Sequence, residues 1–279
     1  MKRTIIFIIS VMLAQSAHAA KINNSFFINS KFIKNDFSFL SRAAGRLSAG
    51  AEASYVKHDD FDDGNFLIAA PLVMSYDAVQ VVLRPFVMPQ TNDLSAYGGT
   101  FNLLLNMEQN DIDDKFTQAH LTVGYVNQKA DVARGAGIER EDYGELAYGL
   151  ALRKNFFNSF VFGVNTNIYQ YLNGVADVRG IRSVFNQNDF SNLNSYDVVY
   201  SLPKYSLGAV FNRMLDKGAD IYLMYSYTEF YTADHEHSMI IGNDFPLSRA
   251  VKADLGYNHI ITGNGDKKDI FKIAVNVIF

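Results

Sequence analysis

Asp269-Ile270-Phe271-Lys272-Ile273-Ala274-Val275-Asn276-Val277-Ile278-Phe279, the last eleven residues of the chain, decide the fold. Counted in twos from the end, Phe279, Val277, Val275, Ile273 and Phe271 fall on one face. Asn276, Ala274 and Lys272 fall on the other, with Ile278 and Ile270 at its ends. A period of two is that of a β-strand, whose successive side chains point to opposite sides. One face is wholly apolar and the other mixed, and the strand runs to a bare terminal aromatic. A domain surrounded by water rarely ends this way.

The same alternation recurs upstream. Leu47, Ala49, Ala51, Ala53 and Tyr55 oppose Ser48, Gly50, Glu52 and Ser54, and Phe160, Phe162, Val164, Thr166 and Ile168 oppose Gly163, Asn165 and Asn167. Val251, Ala253, Leu255 and Tyr257 oppose Lys252, Asp254, Gly256 and Asn258. At the other end of the chain, Lys2-Arg3 precedes an apolar stretch from Ile5 to Leu13 and a small-x-small motif, Ala17-His18-Ala19. These features predict a secretory signal peptide over residues 1–19 that is cleaved before Ala20. Its apolar stretch is roughly half the ~20 residues a spanning helix needs.

The terminal strand closely resembles that of bacterial outer-membrane β-barrel proteins, in which a C-terminal Phe behind alternating apolar residues is read by the barrel assembly machinery. The resemblance is to the class and to no specific family. It implies a transmembrane antiparallel up-and-down barrel in the outer membrane of a Gram-negative bacterium. Lipid and lipopolysaccharide would surround it, and Phe271, Ile273, Val275, Val277 and Phe279 would be its assembly signal. Turn residues divide the chain into twelve expected strands, near 45–57, 64–76, 78–88, 96–108, 116–127, 142–154, 159–171, 203–214, 219–231, 236–244, 248–261 and 268–279, with ten as the alternative. If the C-terminus is periplasmic, the short connections fall on that side and the two longest, 128–141 and 172–202, on the other, as such barrels require. Residues 20–44 lack a clear period and are expected to be a periplasmic or lumen-inserted segment before a barrel spanning 45–279.

Composition agrees. Hydrophobic residues make up 48% of the chain, dispersed by alternation rather than run together, and Phe (22) and Tyr (16) must build any interfacial girdle because Trp is absent. The lack of Cys removes disulfides and thiolate ligands. Without Lys2 and Arg3, 23 basic residues stand against 29 acidic ones, a net charge of about −6 that argues against nucleic-acid binding.

Function must then lie in the lumen or the loops. The expected lumen-facing set contains Arg46, Glu52, Arg84, Glu108, Glu145, Arg153, Asn165, Lys252, Asp254 and Lys272, among many amides. Such a lining can hydrogen-bond a small hydrophilic solute in passing, which points to a narrow channel without a cofactor. Alternatively the arginines pair with Glu52 or Glu145 and close the lumen, leaving a structural or adhesive surface barrel. The acidic run Asp59, Asp60, Asp62 and Asp63 lacks the spacing of a calcium loop. His235 and His237 have no third ligand in the sequence, so no metal site is expected. A lipid-modifying enzyme is the least favoured reading, because neither His237-Ser238 nor Tyr257-Asn258-His259 has His-x-Ser spacing or an evident acid to orient the imidazole.

Overall fold

The computed structural model describes residues 20–30, 32–58, 64–91, 94–107, 117–134, 137–156, 159–172, 183–185, 196–199, 202–215, 218–231 and 234–278. The signal-peptide segment, the acidic run at 59–63, Glu108 and Phe279 lie outside the described residues. The strands are β1 (Ala20–Ile28), β2 (Phe32–Ala44), β3 (Leu47–His58), β4 (Asn65–Ala69), β5 (Leu72–Ser75) and β6 (Val79–Thr91). They continue with β7 (Leu94–Met107), β8 (Thr117–Arg134), β9 (Gly137–Phe156), β10 (Phe160–Leu172), β11 (Ser183–Phe185) and β12 (Tyr196–Val199). The last five are β13 (Pro203–Met214), β14 (Asp220–Phe230), β15 (Glu236–Pro246), β16 (Val251–Thr262) and β17 (Lys267–Ile278).

Fifteen of these strands form one antiparallel sheet in which β1 pairs with β2 on one side and with β17 on the other, so the sheet closes into a barrel. β4 and β5 share one position, interrupted at Ala70-Pro71 because proline has no N–H to give the ladder. Backbone bonds from Gly50 N to Pro71 O (2.9 Å) and from Ala70 N to Pro85 O (3.0 Å) bridge the interruption. The wall therefore has fourteen staves, an even number. β11 and β12 form a separate hairpin, and β12 lies beside β3, across the ring from β10 and β13, which the connection joins.

All twelve expected strands are present, and the count rises to fourteen because residues 20–44 are wall rather than a segment apart from it. The departure has a physical cause. Register places Asn24 and Asn35 on the outer face, opposite Val275 and Tyr55, and Phe27 on the inner face beside Lys34. The hydrophobic alternation is thus broken on both faces. The two outer amides satisfy each other, Asn35 Nδ2 donating to Asn24 Oδ1 at 2.8 Å, which is the arrangement a water-free exterior requires.

The exterior is apolar around the whole ring. Leu83, Phe101, Leu121, Leu150, Phe162, Phe211, Leu223, Ile241, Leu255 and Ile273 are all exposed, as are Phe271 and Val275 of the terminal strand. A band this continuous faces lipid, since a water-soluble monomer does not expose one.

Candidate functional site: the barrel interior

Seen from inside, the wall divides into two arcs. The first runs from β14 through β17 and β1 to β6 and carries the charges. Lys272 Nζ lies 2.6 Å from Asp254 Oδ2, and Tyr222 donates to the other oxygen of the same carboxylate at 2.7 Å. Lys252 Nζ stands 3.9 Å from Asp244, and Lys34 Nζ 3.3 Å from Asp36, which also accepts from Ser54 Oγ. Arg84 reaches across the β4/β5 interruption to pair with Glu52. Of the expected lining, Glu52, Arg84, Lys252, Asp254 and Lys272 thus meet in ion pairs on the inner face. Arg46 does not belong to it. Gly45 adopts φ 51° in the β2–β3 turn, which carries Arg46 out of the strand, exposed, 3.8 Å from Asp77 of the next turn.

Tyr222 holds an unusual posture for a large inward side chain. A Cβ built on Gly242 would lie 2.2 Å from its ring, and one on Gly256 would lie 3.1 Å from its hydroxyl. The ring therefore lies flat along the wall on two glycines instead of projecting inward, and it reaches Asp254 from there. Asn165 is bedded in the same way, with its Oδ1 2.1 Å from a Cβ position on Gly208. The buried side-chain oxygens of Asn165, Asn167 and Asn212 have no protein partner.

The second arc, from β4 and β6 through β10 to β13, is aromatic and tightly packed toward the ends of its strands away from the termini. Tyr143, Tyr169, Val126, Leu67, Phe86, Met88 and Leu202 are buried together there, with Tyr171 against them. Glu145 lies fully buried among them. Glu145 accepts from Gln128 Nε2 at 3.0 Å and from Tyr171 OH at 3.1 Å. Tyr143 OH donates to Gln128 at 3.2 Å, completing a chain of polar groups inside an apolar cluster. Arg153 faces inward nearer the termini, opposite Gln118.

A third group lies outside the barrel, near the ends of β14–β17 remote from the termini. His259 Nδ1 sits 2.7 Å from Asp269, which also accepts from Tyr257 OH at 2.6 Å, and Tyr225 OH lies 2.7 Å from His237 Nδ1. Asp269 is the orienting acid that sequence spacing did not reveal, because it comes from the neighbouring strand. No serine accompanies it among the described residues of this patch: Ser238 is buried on the inner face, bonded to Asn258. Nor do three potential metal ligands converge among the described residues.

No family model matches the chain, and no curated protein matches it. Solved structures do. The CymD monoaromatic hydrocarbon channel superposes with a TM-score of 0.51 at 12% identity, over 96% of this chain and 90% of that one. OprB of Pseudomonas putida gives 0.48 at 6% identity, over 97% and 96%. The KdgM porin in complex with oligogalacturonate gives 0.45 at 7% identity, over 93% and 99%. At such identities the likeness is one of fold: a closed antiparallel barrel of the bacterial outer-membrane type.

Proposed function

We propose that this protein is a narrow channel carrying small hydrophilic solutes across the outer membrane of a Gram-negative bacterium. The posture of Tyr222 supports the reading. A barrel filled by its own side chains gains from a large ring that projects and packs, whereas here two glycines recess it against the wall. Partly exposed ion pairs on the same face offer a passing solute hydrogen bonds. The test is single-channel recording in planar bilayers. Gly242→Ala should push the ring off its bed and lower conductance severalfold, and Tyr222→Ala should raise it. Equal conductance in both variants and the parent protein would remove the support.

A second reading is favoured by the aromatic arc. Its packing around Glu145, with β12 beside β3, suits a surface barrel with a closed lumen. That reading expects no conductance from the parent protein. Lipid-modifying chemistry has the weakest support, since the His259–Asp269 pair faces outward while Ser238 faces inward.

A further inference from the structure

The bond between Asn24 and Asn35 does not use all that two amides carry. Asn35 uses both of its N–H groups, one on Asn24 Oδ1 at 2.8 Å and one on the Ser25 carbonyl at 3.1 Å. The hydrogens of Asn24 Nδ2 and the lone pairs of Asn35 Oδ1 remain, and neither group has a partner among the described residues. Both side chains are only half-buried on the outer face, and they do not sit at its edge. Asn35 is in register with Phe26, Phe26 with Ile273 and Ile273 with Leu255, and Phe26, Ile33, Ile273 and Leu255 are all exposed members of the apolar band. Hydrocarbon chains offer no hydrogen bonds, so at this depth another polypeptide is what can satisfy the two groups.

We propose that the outer face of β1 and β2 binds a second copy of this chain about a twofold axis along the membrane normal, with Asn24 Nδ2 of each copy donating to Asn35 Oδ1 of the other. The two unused groups are a donor and an acceptor lying side by side on neighbouring strands. Half a turn about that axis sets β1 of one copy against β2 of the other at the same depth, so a single contact makes both bonds. A self-complementary patch of this kind closes as a dimer, whereas a threefold ring joins unlike patches. Beside β2, the outer face of β3 carries Ala49, Ala51 and Ala53 in succession, and such small side chains let two walls approach closely. The proposal depends on the barrel in its membrane and not on whether the lumen conducts.

The chain contains no cysteine, so a single introduced thiol reports proximity cleanly. Phe26→Cys stands beside the proposed axis, and Thr166→Cys faces lipid on β10, six staves away counted through β17, β16, β15, β14 and β13. In outer membranes treated with a short bismaleimide, Phe26→Cys should give a cross-linked dimer and Thr166→Cys should not. Sedimentation of the parent protein in mild detergent should give the mass of two chains. Asn24→Leu with Asn35→Leu makes the outer face continuously apolar, so it should fold, as heat-modifiable gel mobility checks. Energy transfer between labelled copies in lipid vesicles should then show association roughly tenfold weaker than in the parent protein. Asn35→Leu alone replaces the double variant if that one does not fold. No cross-link from Phe26→Cys, an equal one from Thr166→Cys, a monomer or trimer mass, or association unchanged in the leucine variant overturns the proposal.

Discussion

The two arcs of the interior use similar residue types to opposite ends. Both contain a tyrosine, a carboxylate and amides within hydrogen-bonding reach. In the aromatic arc Tyr143, Tyr169 and Tyr171 project and close over Glu145, whose burial is complete. In the charged arc Tyr222 lies down on Gly242 and Gly256, and the ion pairs beside it keep part of their surface. What separates them is the residue on the neighbouring strand. A glycine gives a ring somewhere to lie, and without one the ring must point inward and pack. The lumen's cross-section is thus set by the smallest residues of the wall as much as by the largest.

The largest effect expected tests the frame that both arcs share. Leu150 and Leu255, one on each arc, are exposed on the outer face, while Asn165 and Asn258 are their inner-face counterparts. Arg at either leucine should cost about 2–4 kcal/mol if it lies near the bilayer midplane, and Arg at either asparagine should leave folding largely intact. Urea unfolding in lipid vesicles measures the difference. Equal tolerance at all four positions would mean that the faces are assigned the wrong way.

A somewhat smaller effect should distinguish the arcs from each other. Gln128→Leu removes a donor from the buried Glu145 carboxylate and the acceptor of Tyr143. Leaving such groups unsatisfied costs about 1–3 kcal/mol each, more where a charge is involved. The same unfolding assay should register a loss of roughly 3 kcal/mol on that scale. A neutral result would show that water reaches Glu145, and the contrast between packed and open arcs would fail.

Much of this architecture was legible in the residues. Alternation located all twelve expected strands, and the facing of Glu52 and Arg84, with their mutual pairing as one of two readings, followed from parity alone. β1 and β2 were hidden because their outer face carries Asn24 and Asn35, which only pairing across the hairpin makes tolerable in lipid. Arg46 was misplaced because a turn at Gly45 ends the strand phase one residue earlier than alternation suggests. The Glu145 cluster and the His259–Asp269 pair were illegible for a common reason: their members come from different strands, and register between strands is not written in the period of either one.

The smallest effect is the sharpest test of the charged arc. Lys252 and Asp244 stand 3.9 Å apart and both keep substantial exposure, so their attraction is screened by water and salt. Lys252→Gln should therefore change unfolding free energy by no more than about 1 kcal/mol, and by less as salt is raised. Gln128→Leu, acting on a carboxylate that water does not reach, should keep its full effect at any ionic strength. The pair of titrations reads the dielectric of each arc directly. A large, salt-independent loss at Lys252 would mean that this side of the lumen is packed as densely as the other, and Tyr222 would then lie flat for want of space rather than to leave it free.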